Sequence, residues 1–592
     1  MASSPTARRV LVSLLLLRLL NTSLVWTFFQ PDEYFQSLEP AWQAAFGPES
    51  GAYITWEWKH QLRSSLHPAL FAGVYKLVDE VSSLGSFSEP LRSALLLWAP
   101  KFTQAVLAAL GDFFTWRLAA NLYGDDSTAS TAALWMTALN PWQWYCSVRT
   151  FSNSLETTLT IAALNYWPWH IFRPAVPVKG NPKPPGAALR DSVNSLRLSL
   201  FLAAVAVLLR PTNILIWIPV FVLTLRPTLI SARPTNLSAG DVLVLVREVV
   251  LCGLLALSLS LASDRLYFGF WAFPPYKWLH FNISQSLAVF YGRNPWHYYL
   301  LQGLPLLCTT LLPFVLPALY SPGPEGSSRA LRVLPWTVYT TIVALSLISH
   351  KEVRFTYPLL PVLHVLGAPN VAKFFAAPSS TGTRLRHKTY LAAGLAANLL
   401  LASYLSLAHQ SAPISVLSFL RSEFTRLHPP HAISTAAHPP DERLFVMFLA
   451  PCHSTPWRSH LIHPALTARA LTCDPPLHTL PNTPERENYR DEADRFYDDP
   501  ALFLSTELWP SSGASGSGAG GAEEPAEIPR FIVGFEGVEP WLKDFFANEG
   551  HHAGVELERV WEGWNGFFSE DWRRAGKLVV WDTGVYDNST GV

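Results

Sequence analysis

The sequence predicts a mainly α, polytopic membrane helical bundle followed by a mixed α/β domain, and three observations carry that prediction. Hydrophobic residues make up 49% of the 592 positions and charged residues only 15%, and mean hydropathy is positive at +0.18, which is unusual for a soluble chain of this length. Apolar runs near 20 residues recur, the length a helix needs to cross about 30 Å of hydrocarbon at ~1.5 Å per residue. After residue 409 such runs give way to polar sequence rich in His, Pro and Trp.

The runs fall at 10–28, 94–116, 128–146, 154–172, 243–263, 299–320, 333–349, 355–375 and 389–409. The stretch 192–225 is also apolar, but Arg210 and Pro211 interrupt it at "LLRPTN". Proline disfavours helix continuation and a buried arginine needs a partner, so two short helices are predicted there. The total is about 11 spans. Residues 66–84 carry Lys76, Asp79 and Glu80 and are predicted to lie at the interface. The apolar run that opens the chain is long for a cleaved signal peptide and lacks a small-residue cleavage pattern, so it is predicted to span.

Orientation follows from the basic loops, because short cytoplasmic loops keep Lys and Arg. Arg8 and Arg9, the Pro-rich segment from Arg173 to Arg197, Arg226 to Arg247, Arg329 with Arg332, and "RLRHK" at 384–388 all fall on one side of an eleven-span chain. The opposite side receives 29–93, 147–153, the Arg210 break, 264–298, 349–355 and everything after 409. The most chemically loaded segments thus converge on the non-cytoplasmic face. Of the four glycosylation sequons, at Asn21, Asn236, Asn282 and Asn588, only Asn282 and Asn588 are predicted on that face and clear of the membrane.

The predicted domains are therefore a transmembrane region, 1–409, with a large first loop at 29–93, and a C-terminal domain, 410–592. Strand-like runs "RLFVMFLAP", "RFIVGFEG" and "KLVVWD" predict a small sheet there, and "SSGASGSGAGGAEEPAE" at 511–527 reads as a flexible insertion. Of five cysteines, Cys146, Cys252 and Cys308 lie in or beside apolar runs and read as small core residues. Cys452 and Cys473 stand in polar sequence, and that pair is the disulfide candidate if the domain faces an oxidising compartment. Lys plus Arg equals Asp plus Glu at 44 each, so no net charge argues for a nucleic-acid partner.

Chemistry concentrates in two places. The first loop holds Asp32 and Glu33 in "FFQPDEYFQ", then Glu57 between Trp56 and Trp58 in "TWEW", then Arg63. Pro31 with two acids fits a helix N-terminus, and the acids beside aromatics able to flank a sugar also fit a general base acting on a hydroxyl. The turn "SHKEVRF" at 349–355 packs His350, Lys351 and Arg354 around Glu352 between two apolar runs. Snorkelling explains any one of these cations alone, whereas four such groups in five positions suit a bound phosphate. Arg149, Asn153 and Glu156 in "RTFSNSLE", and Arg210, fit structural pairing between helices. No Gly-rich phosphate loop, dinucleotide fingerprint or zinc-ligand spacing occurs, which favours a lipid-linked phosphate donor over a soluble nucleotide.

"PDEYFQSLEPAW", "ITWEWKHQLRSSLHP", "RTFSNSLETTLT", "RPTN", "HKEVRFTYPLLPVL" and "APCHSTPWRSHLIHP" together resemble the family 22 membrane mannosyltransferases of GT-C type, in pieces from about residue 24 to about 500. The "PCHSTP" segment and "DEADRFYDDP" at 491–500 point to the members that add the third mannose of the glycosylphosphatidylinositol (GPI) core. The resemblance implies an endoplasmic reticulum membrane enzyme with a lumenal active face, moving mannose from dolichyl phosphate mannose, α-1,2, onto a dimannosyl GPI acceptor with inversion. It implies Asp32 as base with Glu33 as substitute, and His350, Lys351 and Arg354, with Arg63 and Arg210, on the donor phosphate. Trp56, Glu57 and Trp58 would meet the acceptor. No cofactor is expected; a divalent ion bridging the acids and the phosphate stays open. Other family 22 enzymes, for the fourth GPI mannose or the N-glycan precursor, are the nearest alternatives, and a transporter or a noncatalytic assembly subunit are the non-enzyme ones.

Overall fold

A computed structural model describes residues 4–169, 187–230, 239–281, 292–320, 328–379, 382–428, 443–480, 483–510, 527–548 and 555–585. Asn282, Asn588 and, apart from Glu527, the 511–527 insertion lie outside the described residues. The chain divides into two compact units: unit 1 comprises 1–25, 60–74 and 98–403, and unit 2 comprises 26–59, 75–97 and 404–592.

Unit 1 is helical. Among the described residues five helical segments are long and apolar enough to cross a membrane: Glu89–Tyr123, Ser192–Leu209, Gly240–Phe268, Tyr299–Tyr320 and Lys388–Leu427, the last of which a turn at 408–411 divides into two helices, the second belonging to unit 2. Along Gly240–Phe268 the side chains of Leu243, Leu251, Leu254, Leu255 and Leu266 are exposed, as a lipid-facing stripe requires. The other predicted runs form helices that are shorter or more charged. Pro5–Leu24 carries Arg8, Arg9 and Arg18. The run 128–146 splits into Thr128–Leu139 and Pro141–Cys146, because Asn140 caps the second helix by accepting from Gln143 N at 2.8 Å and Pro141 opens its first turn. The break at Arg210 stands as predicted: Ala187–Leu209 ends, Pro211–Asn213 makes one 3-10 turn, and Ile214–Ile230 follows. The charged segment 66–84 forms the helix Leu66–Leu84 and is not among the five. A hairpin of β1 (Ala376–Ser379) and β2 (Gly382–Leu385) precedes the helix Lys388–Leu407.

Unit 2 is built on a five-stranded sheet of β3 (Leu444–Leu449), β4 (Leu466–Ala470), β5 (Phe531–Phe535), β6 (Glu558–Gly563) and β7 (Leu578–Asp582). Its order is β4-β3-β5-β7-β6, with β3 parallel to both β4 and β5 and the β5–β7 and β6–β7 pairs antiparallel. The three strand-like runs read from the sequence are the three central strands. They are continuously apolar because both faces are covered. Ile532 joins a core with Met447, Phe496, Trp509, Leu542 and Trp581, while its neighbour Phe531 faces Phe419 of the helix Ala412–Leu427 at 6.3 Å between ring centres. Residues 26–59 and 75–97 of the first-loop region belong to this unit, whereas 60–74 belong to unit 1; at its start Trp26 N, Thr27 Oγ1 and Phe28 N donate to the carbonyls of Ser406, Leu405 and Gln410.

Candidate active site

The cationic turn lies in unit 1. Glu352 is extended (φ −135°, ψ 147°) and leads into a 3-10 helix, Val353–Leu359. Arg354, only 6% exposed, forks onto Glu352, Nε to Oε2 at 2.5 Å and Nη2 to Oε1 at 2.8 Å, and His350 Nε2 meets the same Oε1 at 3.1 Å. Burial pushes the Glu352 carboxyl up, but Arg354 and the hydrogen bonds from His350 and Arg354 outweigh it, so the carboxyl ionises well below the usual range. Lys351 is buried, donates through Nζ to Asn294 O at 2.9 Å and Ile348 O at 2.5 Å, and has its pKa lowered by that burial.

A second set of side chains backs the turn. Asn153 Nδ2 donates to Arg354 O and to Glu156 Oε2, both at 3.3 Å, and Asn213 Nδ2 donates to Glu156 Oε1 at 2.9 Å. Arg210 Nε stands 3.8 Å from Glu156 Oε2, and its guanidinium lies 5.4 Å from the Phe355 ring centre. His350, Glu352, Arg354, Asn153, Glu156 and Arg210 are thus one connected cluster with Lys351 on the same turn. Three basic side chains, Lys351, Arg354 and Arg210, gather here with the carboxylates of Glu352 and Glu156. Guanidinium and ammonium donors held together on one turn are groups that can bind a phosphate. Arg149 instead donates to Tyr145 O at 3.0 Å and stacks over that ring. Arg63 sits beside Ser64 and Ser65, which Asp264 clamps through Ser65 N at 2.6 Å and both serine hydroxyls.

The acidic loop lies in unit 2. Pro31 opens a helical turn that carries Asp32, half-buried, and Glu33, buried. Trp56 and Trp58 are both buried, and Trp58 spends its indole N–H on Phe35 O at 3.0 Å, so this pair packs the loop. Glu57 Oε2 accepts from Gln36 Nε2 at 3.0 Å. Glu39, wholly buried, accepts from Tyr53 N at 3.0 Å and Ser459 N at 2.8 Å. Cys452 and Cys473 form a disulfide. Between them His453, held at φ +56°, packs at a tilt against Phe35 with ring centres 4.3 Å apart; burial pushes its imidazole down to about 4, Arg574 acting in the same direction and Asp32 opposing.

Residues 9–462 match the Alg9-like mannosyltransferase family. The chain belongs to that family. The match spans both clusters. Among proteins similar to this mannosyltransferase-family chain is GPI mannosyltransferase 3 of Gibberella zeae, 54% identical over 97% of this chain and 95% of the relative. GPI mannosyltransferase 3 of Aspergillus fumigatus is 43% identical over 98% and 78%. The human GPI alpha-1,2-mannosyltransferase 3 is 33% identical over 90% and 81%. Among solved structures, ArnT from Cupriavidus metallidurans bound to undecaprenyl phosphate superposes with a TM-score of 0.50 at 13% identity, covering 98% of each chain, and so shares the fold.

Sequence reasoning passed over several polar residues that the fold uses: Arg18, Glu39, Asp112, Gln143, Asp264 and His453. Arg18 and Asp112 were absorbed into apolar runs, although a charge inside such a run is itself a signal. Asp264 stood just past the run 243–263 with no charged neighbour but Arg265.

Proposed function

We propose that this protein is the mannosyltransferase that adds the third mannose of the GPI core, α-1,2, from dolichyl phosphate mannose, at the lumenal face of the endoplasmic reticulum membrane. The observation that carries the reading is the 54% identity, across nearly the whole of both chains, to a protein named GPI mannosyltransferase 3. The gathering of Lys351, Arg354 and Arg210 around one buried turn supports a phosphate-bearing donor.

The donor is a β-linked phosphate ester, and an α product requires one inverting displacement. The acceptor C2 hydroxyl oxygen attacks the anomeric carbon as the bond to the phosphate oxygen breaks, and dolichyl phosphate leaves with the electron pair. Asp32 takes the hydroxyl proton, with Glu33 as the substitute. His350, Lys351 and Arg354, assisted by Arg63 and Arg210, stabilise the charge that collects on the departing phosphate. Glu57 orients the acceptor, with Trp56 and Trp58 shaping the loop that carries it. Asn153, Glu156 and Glu352 hold the cations in place. No step calls for a cofactor.

The test is transfer by the purified full chain from dolichyl phosphate mannose to a defined dimannosyl GPI lipid. Asp32→Asn and Asp32→Ala are each expected to lose at least about 100-fold in rate, the loss that follows removal of a positioned base. Near-normal turnover in either variant refutes the assignment of Asp32. Transfer to a trimannosyl acceptor in place of the dimannosyl one refutes the proposed substrate.

A further inference from the structure

In the core of unit 1 Arg18 and Asp112 form an ion pair in which neither side chain has any exposed surface, Nε to Oδ2 at 2.6 Å. Arg18 also donates through Nη1 to Asn21 Oδ1 at 2.8 Å and through Nη2 to Thr137 O at 3.4 Å. The other Asp112 oxygen, Oδ1, accepts from Gln143 Nε2 at 2.7 Å, and Gln143 Oε1 accepts from the Tyr357 hydroxyl at 2.7 Å. Asn140 seats Gln143 in turn, capping its N–H and donating through Nδ2 to Leu307 O at 3.0 Å. A directed chain of four side chains therefore runs from the helix Pro5–Leu24, through Glu89–Tyr123 and Pro141–Cys146, into the 3-10 helix Val353–Leu359.

That chain has a fixed polarity. Asp112 only accepts, so it holds the Gln143 amide with its N–H group toward the carboxylate and its oxygen toward Tyr357. The Arg18 guanidinium occupies Asp112 Oδ2, Oδ1 accepts from Gln143 Nε2, and the Gln143 oxygen is thereby left to accept from Tyr357, which donates. On a 3-10 helix, residues three apart eclipse one another, and Tyr357 lies three residues after Arg354. Fixing the Tyr357 hydroxyl fixes the rotation of this short helix and hence where the Arg354 guanidinium stands. Stability alone does not account for the arrangement, since a well-packed apolar pair in place of two desolvated charges is often as stable. Direction is what the charged chain provides.

We infer that Arg18, Asp112, Gln143 and Tyr357 are positioning residues for the donor phosphate, acting through Arg354. The inference rests on the reading of the Arg354 turn given under Proposed function. The test measures donor KM, acceptor KM and kcat of the purified full chain, together with its thermal melting, for Tyr357→Phe, for the double variant Arg18→Met with Asp112→Leu, and for Arg354→Lys. Tyr357→Phe is expected to raise donor KM about tenfold, the effect of losing uniform donor binding, with kcat and acceptor KM within about twofold and melting lowered only modestly by the stranded Gln143 oxygen. The double variant removes both charges together and is expected to show the same raised donor KM at near-native melting. Unchanged donor KM in Tyr357→Phe, with Arg354→Lys still raising it, overturns the positioning role and leaves the reading of the turn intact. Should Arg354→Lys also leave donor KM unchanged, that reading falls first. If the double variant does not fold, Tyr357→Phe alone decides.

Discussion

Replacing Glu39 probes how the first loop is held in unit 2. Its carboxylate has no exposed surface, and each oxygen accepts one backbone N–H, from Tyr53 at 3.0 Å and from Ser459 at 2.8 Å. Glu39→Ala removes both acceptors at once. Each donor stranded out of water costs about 1–3 kcal/mol, so the pair puts the local loss near 3–4 kcal/mol. Glu39→Gln keeps one acceptor oxygen and turns an N–H group toward the other donor, so about half of that loss is expected. Hydrogen exchange with mass spectrometry on the full chain reads the effect directly. A loss of about 3 kcal/mol corresponds to opening roughly 100-fold more often, so peptides covering Tyr53 and Ser459 are expected to exchange about that much faster in Glu39→Ala, with Glu39→Gln between it and the parent. Parent-like exchange at both peptides in Glu39→Ala would refute the clamp.

Three further outcomes follow from unit 2. His453 and His463 are both pushed by burial down to about 4, below their ordinary 6.5, so the unfolded chain binds protons first as pH falls. Stability is therefore full above about pH 6.5 and is lost progressively toward pH 4; a flat melting profile from pH 7 to 4.5, or an unaltered slope in His453→Phe, contradicts this. The Cys452–Cys473 bridge spans 21 positions, and the loop it closes predicts about 3 kcal/mol of stabilisation, so reduction or a Cys452→Ser with Cys473→Ser variant is expected to lower the melting temperature; no change in melting counts against it. Gly51 has φ +76°, and an added Cβ would stand 2.9 Å from Arg458 Nε, so Gly51→Ala is expected to destabilise by about 1–2 kcal/mol in denaturant titration, and a neutral result removes the argument.

What was legible in the sequence follows the range of the forces involved. The Arg210–Pro211 break is a local steric matter, and β3, β5 and β7 announce themselves as short, wholly apolar runs because helices cover both faces of the sheet. The division of 128–146 was written in Asn140 and Pro141, a capping pair whose signal is lost when hydropathy is averaged over a window. About eleven spans were read from the sequence, yet among the described residues five helical segments meet the length, hydropathy and charge requirement: Ser152–Tyr166 and Leu360–Phe375 are too short, and Pro5–Leu24 carries three arginines. In the candidate site, the linkage of His350, Glu352 and Arg354 is legible at a spacing of two residues. The partners that back it are not: Asn153 meets Arg354 O across 201 positions, and Arg18 meets Asp112 across 94. Glu39 reads as one more acid in a loop until Ser459, 420 positions later, supplies the N–H it was folded to receive.

The division of the chain into six alternating segments has a practical reach. The backbone passes between the two units five times, and Leu66–Leu84 and Glu89–Tyr123 are each uninterrupted helices shared by both. No single scission yields either body both whole and alone. A fragment beginning at 404 would carry the sheet but leave behind the acidic loop and the Glu39 carboxylate that Ser459 requires. Dissection of this enzyme must therefore proceed by point substitution in the intact polypeptide, since no truncation isolates one complete body from the other.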